Sequence, residues 1–267
     1  MFNFVDVKID NFNLKVLKSD IFSDKLEHFF TTRTGGDTPE PLNSFTLSAK
    51  DFPEYDNYAQ KNLKIACDLI GGKFENLIMP NQQHTDKILI IENKNDINKI
   101  KDEPFDGIIT NLKNYPICLV FADCIPVLLF DEKNEVVACI HAGWKGTAKS
   151  IVKKTVKLMQ QNFNSYEKDI KAVIGAGICQ NCFEVNSDVK NQLAMSLNYA
   201  CDNIFIKNND KTNVDLKKLN EMQLKEVGVQ NTDVCKYCTF CNNDIFYSYR
   251  ADNRCTGRHG MLAMIKE

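Results

Sequence analysis

The sequence predicts a mixed α/β or α+β protein in which helices cover sheet faces. Two patterns carry this reading. Short apolar or alternating runs with strand character recur along most of the chain, and longer segments place apolar residues at helical spacing. A length of 267 residues also leaves room for a substantial core. The opening MFNFVDVKIDNFNLKVLK alternates like a strand and lacks the basic segment, apolar run and small-residue cleavage site of a secretory signal. Strand-like runs follow at residues 14–17, 29–32, 87–91, 117–121, 127–130, 136–140 and 172–174, with a last pair at 245–249 and 262–265. Helical periodicity is clearest over 57–72, 146–163 and 214–228, with Gly71 and Gly228 as stop signals, and a further helix is expected over 188–200.

The composition is that of an ordinary globular protein, 43% hydrophobic and 25% charged. Lys and Arg number 33 against 35 Asp and Glu, a formal charge of -2, which argues against broad binding to a nucleic-acid backbone. No stretch approaches the roughly 20 apolar residues of a membrane span, so a cytoplasmic location and no membrane partner are expected. There is no internal repeat, coiled coil or Gly/Ser linker. The polar run NKNDINKIKDEP is too short for a domain boundary, and a single domain over 1–267 is the expectation.

Eleven cysteines, an odd number at irregular spacing, do not suggest a disulfide scaffold. Cys118 and Cys139 lie in apolar runs and read as small core residues, as do Cys67 and Cys201. CQNC and CKYCTFC differ: Cys179, Cys182, Cys235, Cys238 and Cys241 stand at spacings that can hold zinc or an iron–sulfur cluster. A structural metal module supporting an interaction protein is therefore one alternative to an enzyme.

Of four histidines, His28 in EHFFTTR and His259 in GRHG read as packing or surface residues. His141 ends the run VVACI and opens HAGWKG, a strand followed by a glycine-bearing turn and a helix. Gly143 and Gly146 permit a tight turn whose amides, with Lys145, could meet an anion. In FADCIPVLLF, Cys124 stands where a strand ends and the chain turns through Pro126, with Asp123 beside it. A thiolate there could bind zinc or act as a nucleophile. His84 follows LIMP in PNQQHTDK. Two imidazoles and a thiolate make a zinc set with a position left for water or substrate, although spacing alone does not bring three distant residues together.

The ordered set TTRTGG, NQQH, ADCIPVLL, HAGWKG, GAGICQNCFEV and FYSYRADNRCTGR, running from Thr31 to Arg258, resembles the YfiH/YlmD-like family, also labelled multicopper polyphenol oxidase, laccase-domain or peptidoglycan editing factor. The resemblance implies a single α/β domain with sheets sandwiched between helices, and His84, Cys124 and His141 as zinc ligands. It puts Arg33 near the same pocket and matches Asp123, Lys145, Cys182 and Arg250 to characteristic motif positions. It also implies purine nucleoside phosphorolysis, adenosine deamination and cleavage of methylthioadenosine. Phosphate would meet Arg33, Lys145 and Arg250; Asp123 would shuttle protons in deamination; Trp144, Phe246, Tyr247 and Tyr249 would offer a wall for the base. The chain departs from the family pattern at Thr85, at Thr46-Leu47 and at Arg250-Ala251.

Two other enzymatic readings compete. Four histidines cannot supply a conventional multicopper oxidase, which leaves a single copper in place of zinc as the oxidase alternative. A metal-free hydrolase or acyltransferase would use Cys124 as nucleophile and His141 as base.

Overall fold

The computed structural model describes residues 1–198 and 202–267. The chain opens with β1 (Phe2–Ile9), β2 (Phe12–Ser19) and β3 (Leu26–Thr31), followed by α1 (Asp56–Leu69). Next come β4 (Ile88–Ile91), β5 (Gly107–Thr110), β6 (Ile117–Phe121), β7 (Ile125–Asp131) and β8 (Val136–Ala142). Helices α2 (Trp144–Ala148) and α3 (Ile151–Phe163) precede β9 (Ile170–Ile174), β10 (Glu184–Val185) and α4 (Ser187–Ala194). The chain closes with β11 (Phe205–Asn208), β12 (Lys211–Val214), α5 (Leu216–Glu226), β13 (Asn231–Val234) and β14 (His259–Ile265).

These strands form a five-stranded sheet in the order β1-β2-β3-β14-β6, a six-stranded sheet β13-β9-β7-β8-β5-β4, and a small sheet β10-β12-β11. The six-stranded sheet is mixed: β4 and β5 are parallel, as are β9 and β13, and its remaining pairs are antiparallel. The two large sheets pack face to face. Phe30, Leu119, Phe121 and Met261 of the first meet Leu128, Phe130, Val137 and Cys139 of the second in one buried cluster. On β7 the alternate residues Val127 and Leu129 face the other way, into a cluster with Val152, Val156 and Met159 of α3 and Leu216 and Leu219 of α5. The outer face of the first sheet, through Val16, Phe29 and Leu262, takes Leu63, Ala66 and Ile70 at α1. The result is helix, sheet, sheet, helix. Because β7 and β8 are covered on both faces, they read as continuous apolar runs rather than alternating ones.

Two expected elements change. The helix over 146–163 is two helices, broken at Ser150, whose backbone is left-handed at φ 57°. The strand expected over 245–249 is a series of turns. Its backbone is engaged locally and by loops: Ile245 and Phe246 donate to Asn242 O, and Arg33 donates to Ile245 O. The apolar character comes from burial of Phe246 and Tyr247 as single anchors, with the Tyr247 hydroxyl donating to Leu42 O at 2.8 Å. The helix expected over 188–200 is described only as α4, and its last two residues, with Cys201, lie outside the described residues. No helix among the described residues is long and apolar enough to cross a membrane.

Candidate active site

The connection from β6 to β7 leaves the first sheet and enters the second, and Cys124 is its last residue before β7. Across the β7–β8 ladder, Pro126 pairs with His141 and Ile125 with Ala142, so His141 comes up beside that connection. His84 reaches the same place from the loop before β4. Both ends of the Gln82 side-chain amide fix this loop: Nε2 donates to Val120 O and Oε1 accepts from Val120 N, each at 2.9 Å. The side-chain donor atoms of His84, Cys124 and His141 all lie within 4.8 Å of one another. His84 has φ 58° and Asp123 has φ 84°, strained left-handed backbone at the rim of a site. Gly143 is needed by space: a Cβ there would meet His84 Cδ2 at 2.9 Å and Cys124 Sγ at 3.1 Å.

Asp106, immediately before β5, organises this trio and was absent from the sequence-derived set. Its Oδ1 lies 2.6 Å from His141 Nδ1 and accepts from His84 N at 3.0 Å. Oδ2 accepts from Gln83 N at 3.2 Å, Thr85 N at 2.6 Å and the Thr85 hydroxyl at 2.8 Å. Thr85, a departure from the family pattern, therefore contributes a further donor. With Nδ1 held by a carboxylate, His141 turns its other ring nitrogen toward Cys124 and His84, the arrangement that fixes a metal-binding histidine. The donor set fits a borderline-soft divalent ion. The signal in sequence is an acidic residue directly preceding a buried strand, where a carboxylate must find donors.

The electrostatics follow from this packing. Burial pushes the Cys124 thiol upward, but the charge and hydrogen bonds of His141 and His84 outweigh it and lower the pKa to about 6. Burial pulls His141 down, whereas Cys124 and Asp106 raise it to about 9. Asp106, despite its burial, is brought to about 2 by His141 and the Thr85 donors. The signs oppose each other across the pair. The thiolate's contribution to stability is complete above the ordinary thiol value of 9.0 and lost as pH falls through about 6. That of His141 is complete below 6.5 and lost as pH rises through about 9. In metal-free protein the ion pair therefore persists between those two limits. Alkylation of Cys124, followed by mass spectrometry of its peptide, is expected to plateau above about pH 6; a rate still climbing toward pH 9 would contradict the pairing.

The trio opens into a cavity of about 880 Å³, of the size that small-molecule sites occupy. Trp144, Phe183 and Tyr249 line it, together with the cationic Lys50, Arg250 and Arg258. Arg258 was not singled out from the sequence, although it closes the last motif. Its Nη2 meets Asp51 at 3.1 Å and its Nη1 donates to Thr256 O at 2.7 Å. The Arg250 guanidinium makes long hydrogen bonds to Cys182 O at 3.3 Å and Glu184 O at 3.5 Å and lies 5.9 Å from the Phe183 ring centroid.

Several expected members lie elsewhere. Arg33 does not line the cavity; its guanidinium donates to Asn43 O, Asn43 Oδ1, Asn243 O and Asn243 Oδ1, pairs with Asp252 and covers the Tyr247 ring. Lys145 is exposed and lies outside the lining, its ammonium 5.8 Å from the Trp144 ring centroid. Phe246 and Tyr247 are core residues, and the aromatic side chains of the lining are Phe52, Trp144, Phe183 and Tyr249. Asp123 does line the cavity, but its carboxylate accepts from the Thr239 and Ser248 hydroxyls and from Arg250 N, each at 2.7 or 2.8 Å. Those bonds tie three segments together: Oδ1 takes both hydroxyls, and Oδ2 takes the Arg250 amide. His28 and His259 are buried away from the trio, and burial lowers both pKa values, to about 4 and about 3.

Comparison with known proteins places this geometry in context. A family model described as multi-copper polyphenol oxidoreductase laccase matches residues 27–266. A purine nucleoside phosphorylase of Staphylococcus epidermidis is 32% identical over 243 residues, covering 88% of this chain and 89% of its own. Purine nucleoside phosphorylase YlmD of Bacillus subtilis is 29% identical over 89% of this chain and 88% of its own. Among solved structures, YlmD from Geobacillus stearothermophilus superposes with a TM-score of 0.89 at 25% identity, covering 99% of this chain and all of that one, 100%. The Bacillus licheniformis hypothetical protein YfiH gives 0.85 at 28% identity over 91% and 94% of the two chains.

Proposed function

The chain belongs to the YfiH/YlmD family, whose sequence model is described as multi-copper polyphenol oxidoreductase laccase, and within it we propose a zinc-dependent purine nucleoside phosphorylase. It would convert adenosine and phosphate to adenine and ribose-1-phosphate, act also on inosine and methylthioadenosine, and deaminate adenosine as a secondary activity. The observation that carries the reading is one cavity in which the His84, Cys124, His141 trio stands together with the cationic Lys50, Arg250 and Arg258 and the aromatic Phe52, Trp144, Phe183 and Tyr249. Relatives named purine nucleoside phosphorylases supply the reaction class.

His84, Cys124 and His141 would hold the zinc, which when bound supplies Lewis-acid polarisation of an oxygen in the cavity. Lys50, Arg250 and Arg258 bind the phosphate, replacing the expected Arg33 and Lys145; guanidinium groups suit phosphate because two parallel N–H donors match two oxygens. Trp144, Tyr249 and Phe183 hold the purine by its faces. With phosphate and nucleoside so oriented, a phosphate oxygen bonds to the ribose carbon as the glycosidic bond breaks. The purine leaves with the bonding pair and takes a proton from solvent. Holding the two reactants in line accounts for much of the barrier lowering expected of such a site.

The test is a chromatographic time course of adenosine consumption, with and without phosphate, on protein of known metal content. Adenine and ribose-1-phosphate formed only with phosphate is the expected result. Inosine as the sole product, indifferent to phosphate, would leave a deaminase and remove phosphorolysis.

One observation favours a second reading. Cys124, His141 and Asp106 lie in the order of a thiolate, base and orienting carboxylate, which is the constellation of a cysteine hydrolase or acyltransferase. Metal loading separates the two: a nucleophile would be protected from alkylation and inactivated by bound zinc, whereas a ligand set would gain activity with it. The oxidase reading is limited by the histidines, since only His84 and His141 reach the cavity, enough for one copper and no coupled centre.

A further inference from the structure

We infer that Cys179, Cys182, Cys238 and Cys241 form a second metal site, a tetrathiolate holding one zinc ion, separate from the His84, Cys124, His141 trio. In sequence these residues are two CxxC pairs separated by a long insertion. One pair follows β9 and the other follows β13. Because β9 and β13 are parallel neighbours in register from Lys171↔Asn231 to Ile174↔Val234, both pairs leave the same edge of the sheet side by side. Backbone bonds continue the alignment past the strands, from Cys235 N to Ile174 O at 2.8 Å and Thr239 N to Gly177 O at 3.4 Å.

The four Sγ atoms lie within 4.8 Å of one another. A tetrahedral zinc with bonds of about 2.3 Å sets its sulfurs about 3.8 Å apart, so the observed spacing suits a single ion. A cluster would need more room, because irons and bridging sulfides stand between the thiolates. Cys238 Sγ also receives backbone N–H groups from Cys179 at 3.2 Å and Cys241 at 3.5 Å. Amide donors aimed at a sulfur stabilise its thiolate form and recur around structural thiolate sites. The four are free thiols, with Cys182 and Cys241 sulfurs 3.4 Å apart. Cys235, third member of the CKYCTFC run, stands outside the set and is buried, with its backbone in the sheet extension. Four sulfur ligands and no open position describe a closed, structural site rather than a catalytic one.

Its place in the fold gives it a role. Ile178 and Phe183, flanking the first pair, line the substrate cavity. Thr239, between the second pair, donates to Asp123 beside Cys124. Arg250 reaches Cys182 O. A metal there would clamp the two loops together, and so would hold one wall of the cavity.

The inference is independent of the nucleoside reading and is tested by metal analysis of protein purified from zinc-supplemented medium. Wild type should carry about two zinc per chain, and Cys179→Ser/Cys241→Ser and Cys124→Ala about one each. The milder Cys241→Ser, at an exposed position, serves if the double variant does not fold; its remaining zinc should fall from about two to about one on challenge with a chelator that leaves wild type loaded. About one zinc in wild type, lost with Cys124→Ala and untouched by the serine substitutions, would overturn the second site. So would acid-labile sulfide accompanying iron, which would mean a cluster, or a Cys182–Cys241 disulfide in freshly purified protein. Failure of phosphorolysis would leave the zinc count, and this result, unchanged.

Discussion

Asp106→Asn is expected to weaken metal binding at the His84, Cys124, His141 trio by about 10–100-fold, with nucleoside turnover falling in step. The residue is fully buried, and its carboxylate holds His141 and the loop that carries His84: the Gln83 and Thr85 amides and the Thr85 hydroxyl at Oδ2, and His141 with the His84 amide at Oδ1. An asparagine keeps one acceptor but turns an NH2 toward groups that are themselves donors. Whichever way it flips, it faces N–H groups or the imidazole Nδ1–H. Unmatched donors in a dry site cost about 1–3 kcal/mol each, and the loop bearing His84 loses its anchor. The pH behaviour has a definite sign. Asp106 has its pKa lowered from 3.8 to about 2, so its contribution is intact above about 4 and is lost as acid carries the protein through about 2. Zinc affinity by chelator competition and turnover at neutral pH give the measurement. An asparagine variant that binds zinc and turns over like wild type would show that the carboxylate only fills space.

His84, Cys124 and His141 were legible from sequence because their chemistry is scarce: two of only four histidines, and a cysteine placed at a turn rather than within an apolar run. Their convergence was not legible. It depends on Cys124 sitting where the chain crosses from one sheet to the other, and on the pairing of Pro126 with His141, which are facts of long-range register. Asp106 escaped because β5 has only four residues, GIIT, and a short buried strand leaves little periodic signal. The turn-rich segment at 245–249 was misread for the opposite reason. Aromatic residues there are buried one at a time by loops, and their composition resembles a strand without any partner to pair with. The alternation of Val127 and Leu129 against Leu128 and Phe130 was visible only as a run of apolar residues; the two covered faces explain it. The layered architecture follows from such runs once both sheets and their helices are in place, and the CxxC pairs meet because β9 and β13 are parallel neighbours despite the α4–α5 region between them in sequence.

The two arginines that sequence placed together at the phosphate are expected to separate completely under mutation. Arg250→Ala should raise the KM for phosphate by about 10-fold or more, since a lost charge-assisted contact is worth about 1.5–3 kcal/mol, with little change in unfolding temperature. Its side chain is exposed at the cavity and held by two long carbonyl contacts and a distant approach to the Phe183 ring, so the free protein loses little when it is removed. Arg33→Ala should do the reverse. Its guanidinium side chain, 13% exposed, joins Asn43 in the loop after β3 to Asn243 and Asp252 in the turns near the C-terminus, and lies 4.8 Å from the Tyr247 ring centroid. Truncation removes the donor from four asparagine oxygens, while Asp252 keeps Asn243 Nδ2 and the Thr256 hydroxyl; charge-assisted hydrogen bonds are worth about 1.5–3 kcal/mol, which sets the scale of the loss. For a chain of this size that lowers the unfolding temperature by several degrees, about 2–4 °C per kcal/mol. Arg33→Lys restores the charge but not the planar fork that reaches both asparagines, and should recover only part of the stability. Thermal unfolding and phosphate saturation curves on the three variants decide the matter. If Arg33→Ala proves as stable as wild type and weakens phosphate, the arginine belongs to the substrate site after all, and the loops it joins must be held by other means.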